Sequence, residues 1–406
     1  MLGQLLNPFY PPLSEREPLP ALYWPVLQAT MLLGFFLGPG TPQTLAVTSV
    51  LLPLALLRPR YTAGDVSTDY SLSSMAVVML LTYLDLGTAT KNGPRFLGNP
   101  AKPLPNGGVG ERDSKSWWQK LKWAARLTAT PRGIGWNWQV KGVPAHPGAS
   151  QSRLRFVSAR VAEVAVRLAV KALAVYGIGF CAAVRPSPSA AGPLNGFLLD
   201  AAVSWCGAVW IFNTLGAPHA AGGAATVLLG VCEPWEWPPI FGSLSDAWSV
   251  RQLWSTAYHQ ILRRPLQQPG IRLARALGLK KGTLASRYLQ LYLAFFISFG
   301  VHWWQSYAVA REGRGEFPFF MLQPVVITVE DLLRWAWGRS VGAERRRRLA
   351  RLERLAGYAW TAAAFTLTLR PMMQGWTGTG LIGGGGPEEK AALRLGQQHG
   401  AVYLGG

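Results

Sequence analysis

Residues 288–310 read YLQLYLAFFISFGVHWWQSYAVA and contain no Asp, Glu, Lys or Arg. Two further stretches, 18–57 and 201–232, also lack these four residue types. An α-helix needs about 20 mostly apolar residues to cross the hydrocarbon core of a bilayer. Each of the three stretches is long enough, so the sequence predicts an integral membrane protein.

The composition of the whole chain argues against a soluble basic protein. Its 406 residues are 49% hydrophobic and 15% charged, whereas soluble domains contain roughly 25% charged residues. The formal net charge is +20, which could indicate a nucleic acid, an anionic membrane face or an anionic substrate. Soluble nucleic-acid-binding proteins do not run this long without a charge. We therefore expect no nucleic-acid partner and a lipid bilayer as the surroundings.

The hydrophobic segments predict an all-α fold, a polytopic transmembrane helical bundle with about eight spans. Their approximate limits are 21–38, 44–57, 71–88, 161–184, 197–215, 286–308, 317–333 and 355–371. The Gly- and Ala-rich stretch from His219 to Cys232 is too short for a ninth span. We expect it to be re-entrant or half of a broken helix.

The distribution of Lys and Arg predicts the orientation in the membrane. Segments 89–160, 251–287 and 334–354 are strongly basic, which places them in the cytosol. The N-terminus then lies in the lumen, and Arg58 and Arg60 on that side are exceptions to the rule. A multi-pass protein of the endoplasmic reticulum is expected.

Four segments are expected along the chain. Residues 1–88 form the N-terminal spans, 89–160 a basic cytosolic or interfacial segment, 161–371 the functional core and 372–406 a flexible C-terminal tail. The basic segment is expected to contain an amphipathic interfacial helix. Its tryptophans and leucines alternate with basic residues: Lys115, Trp117, Trp118, Lys120, Leu121, Lys122, Trp123, Arg126 and Leu127.

His302 is the strongest candidate for a functional residue. Helical spacing puts Ser298, His302 and Ser306 on one face, with Gln305 beside them, and lipid cannot satisfy their hydrogen bonds. An ionisable residue inside the membrane indicates a functional site, and histidine suits general-base chemistry near neutral pH. From the span alone, a core histidine bonded to a neighbouring backbone carbonyl is an equally good interpretation.

His259 lies in residues 248–264, whose apolar side chains recur at helical spacing. The pattern predicts an amphipathic helix at the cytosolic interface, with His259, Arg251 and Arg263 on its polar face. From this segment alone a solvated histidine is the favoured interpretation.

No metal site is expected, because the other side chains that could be ligands lack metal-site spacing. They are His146, His219, His399, Cys181, Cys206 and Cys232.

Several motifs resemble one known family. Residues 237–260 are similar to a signature of fungal wax-synthase-like acyltransferases, with Trp254 and His259 at the family's spacing. Residues 293–302 are similar to the motif that ends at the family's histidine, although Gly300 is shifted by one position. Other similar stretches bring the resemblance to roughly residues 130–371. The chain thus resembles the membrane-bound O-acyltransferase family, of the type that acetylates secondary metabolites.

The resemblance implies transfer of an acyl group from a coenzyme A thioester to a hydroxyl, inside a membrane chamber. His302 would be the general base, and His259 would orient the base or the thioester. The expected co-substrate is acetyl-CoA, or another acyl-CoA, with no bound cofactor. The expected acceptor is a hydrophobic alcohol, a terpenoid or meroterpenoid. The phosphates of coenzyme A could bind Arg251, Arg263 and Arg264, for which positive-inside anchoring is the alternative.

Other functions remain open from the sequence. A long-chain wax ester synthase would share the same motifs. A membrane transporter could use His302 and the serine face as a proton or solute path, and an inactive membrane scaffold would use neither. Oligomeric state is not predicted.

Overall fold

The computed structural model of the protein describes residues 2–88, 93–100, 102–103, 116–144, 151–185 and 193–405, which are almost entirely helical. The helices are α1 (Leu2–Leu6), α2 (Tyr23–Leu37), α3 (Thr41–Leu57), α4 (Val66–Leu86), α5 (Trp117–Thr128), α6 (Arg153–Ala183), α7 (Pro193–Leu228), α8 (Val250–Gln252), α9 (Arg263–Ala276), α10 (Leu284–Ala310), α11 (Glu316–Ser340), α12 (Ala343–Gly378) and α13 (Pro387–Gly405). The strands are β1 (Glu17–Pro18), parallel to β2 (Tyr61–Thr62), and β3 (Gly98–Asn99), antiparallel to β4 (Lys102–Pro103). The predicted all-α class is confirmed.

Each of the eight predicted spans corresponds to one helix, namely α2, α3, α4, α6, α7, α10, α11 and α12. By length and composition, three helical stretches of the described residues could cross a membrane: Arg153–Ala183, Leu194–Leu228 and Leu284–Ala310. Their lipid-compatible surfaces agree with a membrane protein. Crossing by the other five helices stays a prediction.

Helix α7 corrects one expectation. Residues 219–228, expected to be re-entrant or half of a broken helix, continue α7 without interruption past Pro218. The small residues serve packing: a Cβ added to Gly222 would lie 3.1 Å from the Trp237 ring, and one added to Gly223 would lie 3.2 Å from it. Glycine here lets an aromatic ring approach the helix, and α7 stays intact.

The C-terminal segment also differs from expectation. A flexible tail was expected after residue 371, yet α12 continues to Gly378 and α13 packs along α6. Gly179 and Gly396 lie where the two helix backbones touch, so that a side chain at either position would overlap the partner helix. Lys171 and Glu389 form an ion pair of 2.5 Å across the interface.

The basic segments gather at one end of the bundle. Arg264 of α9 pairs with Asp85 near the end of α4, and Trp337 near the end of α11 donates to Glu353 near the start of α12. Lys120 of α5 lies over the Phe36 ring at the end of α2. This end, called the basic end below, holds the described parts of all three segments predicted to be cytosolic. Lys115 of the predicted interfacial helix lies outside the described residues, and residues 117–128 of that stretch form α5.

At the opposite end the structure explains why Arg58 departs from the positive-inside rule. The Arg58 side chain is 0% exposed, and its guanidinium binds Asp69, which is 1% exposed, at 2.8 Å. Asp69 also accepts hydrogen bonds from Arg16 at 2.9 Å, from Thr62 at 2.7 Å and from the Ala63 N–H at 2.7 Å. A buried charge needs a partner of opposite sign. Arg58 is therefore an internal structural charge that fixes the first turn of α4.

Candidate active site

His302 is held on one nitrogen and open on the other. Its Nδ1 lies 3.0 Å from the Tyr70 hydroxyl, and its ring stacks on Phe320 with centroids 4.6 Å apart. The Trp376 ring lies on a third side of the imidazole, with the two ring centroids 6.3 Å apart. Within the described residues, Nε2 has no hydrogen-bond partner, and it is not among the fully enclosed polar atoms. This arrangement differs from a core histidine tied to a backbone carbonyl.

The polar face of α10 packs against other helices. Ser306 donates to Glu316, whose carboxylate is completely buried and also accepts from Trp376 Nε1 at 3.1 Å. Gln305 Nε2 donates to the Tyr70 carbonyl oxygen at 3.2 Å. These bonds tie α10 to α4, α11 and α12, the helices that surround His302.

The predicted helix over residues 248–264 is wrong. Only three residues form α8, and Leu253–Ala257 widen into a π-helical turn. Tyr258 then becomes extended, with φ −78° and ψ 160°. The Gln260 side chain donates to the carbonyls of Trp254 at 3.1 Å and Tyr258 at 2.6 Å, so it replaces helical hydrogen bonds. Such π turns occur frequently at functional sites.

The break turns His259 into the protein and not toward solvent. Its ring packs on Tyr258 with centroids 4.3 Å apart and on Phe241 at 6.3 Å, and its Nδ1 is fully enclosed without a partner among the described residues. Burial, and next the charge of nearby His302, lower the pKa of His259 to about 3. His259 is therefore neutral at physiological pH. The structure brings the two predicted histidines into one interior region, which the solvated interpretation did not allow.

An aromatic wall joins the two histidines. The Trp254 ring contacts Tyr258 at 5.1 Å on one side and Phe319 at 6.2 Å on the other. Its Nε1 donates to Gln323 at 3.0 Å, which fixes the indole inside the bundle. These side chains create apolar surroundings in which electrostatic interactions are strong.

The three predicted phosphate-binding arginines all have partners. Arg251 is bound by Asp331 and Arg264 by Asp85. Arg263 differs, because its described partners are neutral: Lys141 O, Ser255 O and Gln260 Oε1, each at 2.8 Å. Partial burial lowers the pKa of Arg263. Arg263 is the one of the three whose charge no carboxylate among the described residues neutralises.

A second basic group behind His259 was missed by the sequence reasoning. Arg132, 4% exposed, donates to the carbonyls of Pro238 at 2.8 Å and Pro239 at 2.7 Å, and to His219 Nε2 at 3.1 Å. Burial, followed by the charge of Arg160, lowers the pKa of Arg132 to about 10. Its advance signal was its place near the start of residues 130–371, over which the chain resembles the family.

His399 stands apart from this site. His399 pairs with Tyr176 at the surface, with Nδ1 3.0 Å from the hydroxyl, and His146 lies outside the described residues. Tyr70, missed entirely, lies outside the stretch that carried the resemblance. In the sequence it directly precedes the span predicted at 71–88, and no motif marked it.

The chain is similar to several known proteins. A family model described as "Membrane bound O-acyl transferase family" matches residues 237–322, which include both histidines. The chain is similar to acetyltransferase ple2 of Rhodocybe pseudopiperita, with 30% identity covering 82% of this chain and 83% of that protein. It is also similar to acetyltransferase sirH of Leptosphaeria maculans, 27% identical over 87% and 89% of the two chains.

A third relative is O-mevalon transferase macI of Penicillium terrestre, 33% identical over 60% of this chain and 59% of that protein. No solved structure gives a significant match. The histidine pair, the helical architecture and the extent of these similarities lead to one conclusion: the chain is an acyltransferase and belongs to the membrane-bound O-acyltransferase family.

Proposed function

We propose that the enzyme transfers an acetyl group from acetyl-CoA to a hydroxyl of a hydrophobic secondary metabolite, a terpenoid or meroterpenoid, with His302 as general base. The proposal rests on the surroundings of His302. One of its nitrogens is bonded to Tyr70, and the other is open within aromatic surroundings. A base has to present an unoccupied lone pair to its substrate, and Nε2 meets that requirement.

The reaction needs no covalent enzyme intermediate. Nε2 of His302 takes the proton of the acceptor hydroxyl as that oxygen attacks the thioester carbonyl carbon. The carbon–sulfur bond then breaks, and the leaving thiolate takes the proton back from the imidazolium. The products are an ester and free coenzyme A. A positioned base of this kind contributes about 10²- to 10⁴-fold in rate.

His259 is proposed to face the donor. Since its pKa is about 3, it stays neutral and cannot act as an acid at physiological pH. Its proposed task is to orient the thioester or the base by hydrogen bonding. The π turn that precedes it contains Trp254, which is part of the aromatic wall.

The donor phosphates are proposed to bind at the basic end. Among Arg251, Arg263 and Arg264, the neutral partners of Arg263 favour that residue, because an anion would gain most from a charge without a carboxylate. The acetyl group is favoured by the names of ple2 and sirH. The endoplasmic reticulum stays the proposed location.

The test compares metabolite extracts from cells that contain the native pathway and express the wild type or His302→Gln. His399→Gln is the matched control, because it removes another histidine that is bonded to a tyrosine at 3.0 Å. Membrane levels of the three proteins are equalised by immunoblot.

We expect only His302→Gln to accumulate a hydroxylated precursor that lacks one acetyl group. Loss of a longer acyl group, such as the one named by the mevalon transferases, would keep the enzyme class and reject the acetyl donor. Identical profiles would reject His302 as the base.

A further inference from the structure

We propose that Tyr70 is a positioning residue for the base His302, so that the N-terminal spans take part in catalysis. The inference rests on the proposed function, because it requires His302 to accept the substrate proton. Its structural basis is the hydrogen bond of 3.0 Å between the Tyr70 hydroxyl and Nδ1 of His302.

The bond constrains which nitrogen does the chemistry. A neutral imidazole carries one proton, and Nε2 can act as the base only when that proton sits on Nδ1. In this tautomer Nδ1–H donates to the Tyr70 oxygen. The same bond remains in the imidazolium that forms during the reaction, and it holds the ring so that Nε2 faces the open side. Orienting partners of catalytic histidines work in this way.

Several contacts fix the position of Tyr70. It is 8% exposed, and its ring packs edge-on against Trp376 with centroids 5.2 Å apart. Its backbone carbonyl accepts from Gln305, one helical turn from His302. The preceding residue, Asp69, is locked by its four donors. Because these contacts fix the Tyr70 ring, its hydroxyl can fix the orientation of the His302 ring.

Tyr70 lies far along the chain from the segment that the family model matches. The family model matches residues 237–322, and Tyr70 lies 232 residues before His302. The base is therefore not supported by the matched segment alone. Helix α4, with the Arg58–Asp69 pair beneath it, forms part of the catalytic apparatus.

The experiment uses the full chain in membranes and compares Tyr70→Phe with Tyr176→Phe. Each change removes one hydroxyl that is 3.0 Å from a histidine Nδ1, but Tyr176 pairs with the surface residue His399. Turnover is measured with labelled acetyl-CoA and the precursor that accumulates in His302→Gln cells. Because Tyr70→Phe removes one neutral hydrogen bond, we expect its kcat to fall by about 2- to 13-fold.

The readouts separate positioning from folding. We expect KM for acetyl-CoA to stay within about twofold and the melting temperature in detergent to match that of Tyr176→Phe, since only the orientation of the base is lost. The solvent deuterium isotope effect on kcat should increase, because proton transfer becomes slower. Tyr70→Gln, whose amide oxygen can accept from Nδ1–H, should be more active than Tyr70→Leu, which has a similar size and no acceptor.

Two results would overturn the inference. One is a kcat for Tyr70→Phe equal to that of Tyr176→Phe. The other is equal activity of the Gln and Leu variants together with a lowered melting temperature, which would make Tyr70 structural. Full activity of His302→Gln is a different failure, because it rejects the proposed function whatever Tyr70 does.

Discussion

Replacing Asp69 by Asn tests whether the buried ion pair holds the first turn of α4. The substitution keeps the shape of the side chain and removes its charge. Arg58, 0% exposed, then has no carboxylate partner at a site from which water is excluded. Removing one member of a buried ion pair typically costs about 3–5 kcal/mol. With an unfolding entropy of about 2.1 cal/mol/K per residue, this loss lowers the melting temperature by about 4–6 °C.

The assay is thermal unfolding of the purified protein in detergent, followed by tryptophan fluorescence. Glu344→Gln is the matched control, because its ion pair with Arg348 is 81% and 77% exposed. Exposed pairs contribute about 0–1 kcal/mol, so the control should unfold with the wild type. Because Tyr70 follows Asp69 directly, Asp69→Asn should also lose acyltransferase activity below its melting temperature. If Asp69→Asn unfolds together with Glu344→Gln, the buried pair does not stabilise the fold as argued.

Three further predictions concern backbone contacts and pH. Gly242→Ala should reduce activity at least tenfold in a turnover assay, because the added Cβ would overlap the Thr256 carbonyl of the π turn. The Cβ added by Gly300→Ala has no atom within 4 Å, so this control should keep activity, and equal effects of the two changes would contradict the packing. Gly396→Leu should detach α13 from α6 and lower the melting temperature, measured as above; an unchanged value would show that the contact is dispensable. His259 is neutral in the folded protein down to about pH 3 but takes up a proton below about pH 6.5 when unfolded. His259 should therefore make stability fall by about 1.4 kcal/mol per unit as pH drops below 6.5. Thermal inactivation of His259→Gln should depend less steeply on pH than that of the wild type by this amount, and equal slopes in the two proteins would refute it.

The helices could be predicted because they depend on local composition. A long apolar run without charge, such as residues 288–310, predicts a membrane helix without any knowledge of the segments it packs against. His302 was found in the same way, as an ionisable residue where such residues are rare.

The π turn could not be predicted, because bonds from a side chain to the backbone and a close backbone contact impose it. Helical spacing over residues 248–264 is a real pattern, but Gln260 caps the carbonyls of Trp254 and Tyr258, and Gly242 packs against the turn. Periodicity records which residues are apolar and not where a side chain replaces a backbone donor.

Tyr70 and α13 escaped prediction for related reasons. Tyr70 acquires its role from a partner 232 residues away, and no local pattern encodes that pairing. A run of glycines predicts a turn, and in this chain it does form one, between Leu381 and Pro387. Whether the chain beyond a turn packs or stays free depends on the surface it meets, here the glycine-containing face of α6.

The hydrogen bond between Tyr70 and His302 determines how late in synthesis the chain can become active. Chains elongate at about 5–20 residues per second, so His302 emerges roughly 10–50 s after Tyr70, and Trp376 emerges later still. Until α12 has entered the membrane, the base lacks one of its walls. A ribosome-bound chain that already contains both histidines should thus be inactive, and any early stop within α12 should yield a protein with the family's motifs and no catalysis.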